Sequence, residues 1–375
     1  MSIESNWCSC AKCHAGYGME DETFDFENGA VADCLVCHDN SGTYKKDDHA
    51  CGHADKSVDL AEAAKSVGKP ERSNCGTCHW YGGGGDNVKH GDMDSTLADP
   101  SREHDVHMGG LDFTCQECHT TENHKIAGRS TTASVSEGKV ACTDCHEKSP
   151  HDSSSPLVDE LNDHFDAVSC EACHIPQYAR EKKTTTLWDW SESGGENEII
   201  EETEDKKKFI SRKKGLLVRE KNLTPDYEWY NGKHRRYIKG DRMDLDGVTY
   251  LNPPEGDIKD PEAKITPYKL MRGVEPADKK HGYKIVPKLY GEGGYFENYD
   301  WVKASEKGME AAGLEFSGEV VFAETIMHWR LNHQVAPKED ALSCLDCHGP
   351  DGVMDFRELG YEGDPAKVGK RKTDG

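Results

Sequence analysis

Seven copies of one five-residue pattern govern what this chain can become. Cys10-Ala-Lys-Cys13-His14, Cys34-Leu-Val-Cys37-His38, Cys75-Gly-Thr-Cys78-His79 and Cys115-Gln-Glu-Cys118-His119 are followed by Cys142-Thr-Asp-Cys145-His146, Cys170-Glu-Ala-Cys173-His174 and Cys344-Leu-Asp-Cys347-His348. Composition alone would give about 0.03 copies. Fourteen of the sixteen cysteines are used in this way. On one helical turn, positions i, i+3 and i+4 share a face. Two thiols at i and i+3 can form thioethers with the vinyl groups on one edge of a porphyrin, and the histidine at i+4 then reaches the iron as proximal ligand. The pattern reads as covalent attachment of seven haems c. Zinc would require partner pairs at finger spacing, and a disulfide framework would leave the histidines unexplained.

The rest of the composition agrees. Only 35% of the 375 residues are hydrophobic and the mean hydropathy is −0.83, too little apolar side chain for a core of its own at this length. Haems must supply the missing apolar bulk. Six motifs crowd into residues 10–174, among Gly, Asp, Ser and Thr, as in Tyr81-Gly82-Gly83-Gly84-Gly85-Asp86. These glycines serve either as turns or as places where backbone approaches a flat macrocycle. The predicted fold is mostly α with extensive irregular structure, the chain wrapped around stacked haems. Residues 1–174 form a six-haem region. Residues 175–325 form a haem-free, irregular, partly β region packed against it, with a small hairpin at the Asn231-Gly232 turn and a solvated loop at the charge block Glu201 to Lys208. Residues 326–375 hold the end of a helix predicted over Glu319 to Leu331, the seventh motif and a frayed tail.

The second axial ligand decides what a haem does: two protein ligands close it for electron transfer, whereas a labile position admits substrate. Twelve histidines lie outside the motifs. His90, His107, His124, His151, His164 and His333 sit near motifs and are the candidate distal ligands. His328 competes with His333, and His49, His53, His104, His234 and His281 are weaker. Cys8 and Cys51 remain as a possible disulfide of an exported protein or as free thiols.

The formal charge of −24 argues against nucleic acid and anionic membranes. No apolar run is long enough to span a bilayer, and Met1 to Cys8 does not read as a charged-then-apolar leader.

Longer stretches carry a resemblance. They are Cys13-His14-Ala15-Gly16-Tyr17-Gly18, Asp33-Cys34-Leu35-Val36-Cys37-His38-Asp39, Gly42-Thr43-Tyr44-Lys45-Lys46, Asn74 to Gly84, Val88-Lys89-His90-Gly91-Asp92, Cys173-His174-Ile175-Pro176 and Trp188-Asp189-Trp190-Ser191. In this order they resemble the octahaem tetrathionate reductase family over nearly the whole chain. The resemblance implies a soluble, exported reductase of small oxyanions or nitrogen oxides, tetrathionate, nitrite or hydroxylamine among them. One haem would carry a distal lysine and act as the substrate site. It also implies an eighth motif and a leader upstream of Cys10, so the sequence is expected to start late, and an aromatic residue where Met19 stands. Within the matching segment Lys45 and Lys46 are the candidate catalytic lysines, paired with the haem at His14. Lys45, Lys46, Lys89 and Arg129 are candidate cations for an anionic substrate. A redox protein or quinol-linked donor would supply electrons, in the periplasm or outside the cell. The competing reading is a non-catalytic electron conduit with every haem closed by histidine, for which twelve histidines suffice.

Overall fold

Six attachment motifs each form about one turn of helix, and the first, Cys10 to His14, is a turn that follows the helix ending at Cys10. Helical turns cover Trp7–Cys10, Cys34–His38, Arg72–His79, Cys115–Cys118, Cys142–Cys145, Cys170–His174 and Cys344–His348. In three motifs the second spacer residue is acidic and folds back on the helix start. Glu117 accepts the Thr114 N–H (2.6 Å), Asp144 that of Ala141 (2.7 Å) and Asp346 that of Ser343 (2.7 Å), relieving donors that a helix N-terminus leaves unpaired. The computed structural model describes residues 3–47, 50–127, 140–151, 157–196 and 198–373.

A mostly α chain is not what these turns belong to. After a two-residue ladder, β1 (Thr121–Glu122) with β2 (Lys125–Ile126), the chain builds one eight-stranded mixed sheet. Its strands are β3 (Thr184–Asp189), β4 (Ile199–Glu202), β5 (Lys206–Ser211), β6 (Gly215–Glu220), β7 (Asp226–Tyr230), β8 (Val248–Tyr250), β9 (Lys264–Asp278) and β10 (Val320–Arg330). The order is β4-β5-β6-β3-β9-β10-β8, with β7 also on β9.

Three local expectations change with it. The segment predicted as a helix over Glu319 to Leu331 is β10, antiparallel to β9 from Val320↔Asp278 to Arg330↔Tyr268. Val320, Val321, Thr325 and Ile326 suit a pleated, half-buried surface, and the pairing outweighs the helical spacing. The charge block is a hairpin in which Glu202 faces Lys207 and Glu201 faces Lys208, opposite charges being favourable directly across an antiparallel pair. The Asn231-Gly232 turn exists, with Gly232 at φ +91°. However, β7 before it pairs with β9 rather than with the chain beyond.

The sheet and the haem-bearing chain are stitched together. Ser5 and Asn6 side chains bond the Pro287 carbonyl, the Ser169 N–H reaches Ile265, and Ala336 and Leu342 donate to the His174 and Cys173 carbonyls. Cys8 and Cys51 are joined in a disulfide. The tail, expected to fray, is held by Arg371, which donates to the Asp260 and Ala263 carbonyls (3.1 and 2.8 Å). Among the described residues no helix is long and apolar enough to cross a membrane.

Candidate haem sites

Four motif histidines have a second imidazole facing them at a constant spacing. Ring centroids are 6.1 Å apart for His38 and His124, 6.2 Å for His146 and His107, 6.2 Å for His119 and His333, and 6.1 Å for His348 and His164. An imidazole nitrogen binds a metal at about 2 Å, so two rings on opposite sides of one ion stand about 6 Å apart, centroid to centroid. Each pair therefore leaves a gap of the width that one iron ion would fill. Among the described residues no group of three or more metal-ligating side chains gathers. The histidines instead meet in twos, as axial ligation requires.

The far side of these rings is fixed as well. Nδ1 of His38 bonds the Gly68 carbonyl (2.8 Å), Nδ1 of His164 the Glu160 carbonyl (2.6 Å), Nδ1 of His333 the Asp92 carboxylate (3.1 Å) and Nδ1 of His348 the Asp364 carboxylate (2.6 Å). Every acceptor demands the proton on Nδ1, which leaves the Nε2 lone pair for iron. His124 holds its place at φ 64°, a left-handed conformation that costs a non-glycine residue about 1 kcal/mol or more.

The cysteines, which stand for thioether sulphurs, give the order of the haems. Cys13 lies within hydrogen-bond reach of Cys78, Cys75 of Cys115, and Cys142 of Cys170. Cys37 neighbours Cys75 and Cys78, Cys118 neighbours Cys145, and Cys173 neighbours Cys344 and Cys347. The motif at Cys344 thus leads through those at Cys170, Cys142 and Cys115 to that at Cys75, which touches both Cys10-Cys13 and Cys34-Cys37.

Known proteins bear the same stamp. Residues 185–351 match the family model described as cytochrome c bacterial, and residues 101–175 the one described as cytochrome c7 and related cytochrome c. An uncharacterised protein of Archaeoglobus fulgidus is 31% identical over 153 residues, 35% of this chain and 50% of that protein, so the match spans half the relative's length. The crystal structure of octahaem cytochrome c from Shewanella oneidensis is 44% identical, covering 100% of this chain and 85% of that chain with a TM-score of 0.90. The chain is a multihaem c-type cytochrome of the octahaem family. The large sheet accordingly belongs to the architecture of an octahaem cytochrome.

In this cytochrome the remaining histidines sort by what they touch. His151 lies near His174 with its Nδ1 on Asn162 (3.0 Å). His90 packs edge-on against Trp329 (4.5 Å), and burial pushes its pKa down to about 3. His328 is buried in the sheet with Nε2 on Glu228 (3.1 Å), turned to the sheet rather than to a motif. His53 packs on Tyr17, His104 bonds Thr96, His234 bonds the Asn252 carbonyl and His281 stacks on Tyr283. His49 and Arg129 lie outside the described residues. Among those described, His90 also lies near His79, and no histidine ring packs against the ring of His14.

The lysines divide sharply. Lys45 has a 62% exposed side chain beside Asp55 (3.7 Å). The Lys46 side chain is 3% exposed and 3.5 Å from Asp33. Its ammonium donates to the Ala11, His14 and Gly16 carbonyls at 3.0 Å each. An amine spent on three acceptors clamps the turn that presents His14 and has no lone pair to give. Lys89 differs. Its side chain lies across Gly83, where a Cβ would come within 2.7 Å of Cε. No hydrogen bond or ion pair holds its amine among the described residues, and burial lowers its pKa. Sequence reading placed Lys89 only among the anion-binding cations. The signal that singles it out is the run Gly82 to Gly85 before it, since Gly83 (φ 85°) and Gly84 (φ 92°) make room for its stem.

Behind Lys89 stands Lys269 of β9, fully buried, donating to the Lys89 carbonyl and Thr184 hydroxyl and, at 3.4 Å, to the Val88 carbonyl. The Lys214 amine lies close to Gly84, its pKa also lowered by burial. Met19 is fully buried at the position where an aromatic residue was expected.

Proposed function

We propose that this cytochrome is an extracytoplasmic reductase of a small oxyanion, with seven haems c in this chain and Lys89 as the labile distal ligand of the haem at Cys10, Cys13 and His14. The carrying observation is the Lys89 amine, on a half-buried side chain, without a hydrogen-bond or ion-pair partner among the described residues and lowered in pKa by desolvation, in a loop that follows the helix Arg72–His79. The end of that helix touches the first motif, where the Cys78 sulphur lies 3.5 Å from the Cys13 carbonyl. Lysine binds iron only as the neutral amine, so desolvation of Lys89 favours the ligating form. Haem iron there would supply electrons one at a time to a bound substrate.

The chain's own residues do the rest. Lys89, once displaced, takes up a proton and becomes a cation beside the anion. Lys214 adds a basic group beside the loop, inside an acidic protein. Tetrathionate fits this environment as a dianion: two electrons cleave its central S–S bond and release two thiosulfates, with no proton required. Nitrite and hydroxylamine are the other candidates from the family resemblance. Electrons would enter from a redox protein or quinol-linked donor at the Cys344 end of the relay.

Two measurements test this reading. Intact mass should show seven haem additions; fewer, or free thiols at any motif, would contradict the count. Lys89→Ala should convert one low-spin haem to high-spin and lower oxyanion reduction by about 10²-fold or more. Lys89→His should keep all haems low-spin with activity lost. Lys46→Met should leave the spectrum unchanged. If Lys46→Met alters ligation and Lys89→Ala does not, the ligand is Lys46. If no lysine change alters a haem, the conduit reading stands.

A further inference from the structure

The haem-facing histidines are not equivalent on their far sides. His38 and His164 bond neutral carbonyls, and His151 bonds an amide oxygen, whereas His333 and His348 bond carboxylates. A carboxylate draws the Nδ1 proton and makes the imidazole a stronger donor, which favours ferric over ferrous iron. The two carboxylates also differ from each other. Asp364 is shared with the Lys367 ammonium at 3.1 Å and the Ala366 N–H at 3.0 Å, and its side chain is 15% exposed. Asp92 is 1% exposed. Its Oδ2 accepts the N–H groups of Asn332 (2.7 Å) and His333 (3.0 Å) besides the His333 ring, and its Oδ1 is buried with no partner. Asp105 adds a second negative charge near His333, its Oδ2 accepting the Gln334 N–H at 2.9 Å. Lys269 lies near Asp92 and Arg180 near Asp105, neither in an ion pair with that carboxylate. A buried carboxylate bonded to the far side of a ligand acts strongly on the iron beyond it.

We infer that Asp92, through its bond to the distal His333, makes the haem between His119 and His333 the lowest-potential member of the relay. Asp92 is a positioning and tuning residue, touching the ligand and not the metal. That haem stands where the arm running from Cys344 meets the group at Cys75, Cys34 and Cys10. Electrons climb onto it from one side and fall from it toward the other, so a pair collects at the His14 end without returning.

The loaded protein can be titrated reductively and followed by electron paramagnetic resonance. The His119 and His333 rings lie 21° from parallel, whereas the other three facing pairs lie at 59° to 70°. Near-parallel and steep pairs give different ferric signals, and the His119–His333 signal is assigned by its loss in His333→Ala. In the native protein that signal should be the last to disappear. Asp92→Asn should retain it, show it vanishing earlier and leave the others in place. Asp92→Glu should restore the native order. Asp364→Asn should move a different, steep-pair signal by a smaller amount. Disappearance of the assigned signal before others in native protein overturns the inference, as does an unchanged order in Asp92→Asn or a uniform shift of all haems. If Asp92→Asn fails to load haem, the native order alone decides.

Discussion

Made without haem attachment, the chain should keep its sheet and lose the structure of its first half. The four clusters of buried apolar residues centre on the sheet and the chain after Cys170. One joins Trp229, Ile265, Met354, Leu359 and Tyr361, a second Ile175, Tyr178 and Leu331, a third Met243, Ala277 and Ala323, and a fourth Leu289, Tyr295 and Ala304. Before Cys170 the buried apolar side chains among the described residues are Ala11, Met19, Val36, Ala63, Trp80, Val88 and Leu97, none of them in these clusters. Single turns of helix do not survive in water without packing, and here the packing surface is the macrocycle. In hydrogen exchange on a chain whose motif cysteines are replaced by Ala, amides of β9 and β10 should remain protected. Those of the motif turns before Cys170 should exchange roughly 10³-fold faster than in the haem-loaded protein. Protected motif turns without haem would show that the first half has a core of its own.

The same division explains what could be read from the sequence. An attachment motif is local: five residues hold both thioether positions and the proximal ligand, so all seven could be named without a fold. The histidines that face them are not local. His38 meets His124 and His119 meets His333, and nothing in the spacing joins those numbers. His107, His124, His164 and His333 nevertheless came forward because they sit near motifs. The sheet stayed hidden for a related reason. Its central strand β9 contains Pro267 and Pro276, which read as breaks, and its partner β10 begins 42 residues after β9 ends. The charges of β4 and β5 looked like a loop until their register set Glu against Lys. Lysines 45 and 46 stood in a matching segment, but sequence does not reveal whether an amine is already spent. Lys46 is spent on three carbonyls and Lys89 is not.

Lys269→Met should cost stability and disturb the Lys89 site together. Lys269 stands opposite Trp329 in the sheet with its amine on the Lys89 carbonyl and the Thr184 hydroxyl. Methionine matches its length and supplies no donor, so buried acceptors lose their partner, a loss of about 2–4 kcal/mol. The released backbone carries Lys89 and His90, so the spectrum of the haem at His14 should change as well, if Lys89 ligates it. A pH series separates this role from simple packing. Burial holds the Lys269 pKa well below its ordinary value, whereas the unfolded chain titrates near 10.4. Below the folded pKa both states carry the proton and the residue adds no slope. Between the two values the unfolded state binds more protons than the folded one, so stability rises with pH across that window. The native protein should therefore gain thermal stability relative to Lys269→Met as pH is raised through that window toward 10. Parallel curves for the two proteins would show that Lys269 titrates alike in both states, and that the lysine acts by its shape rather than by a buried charge.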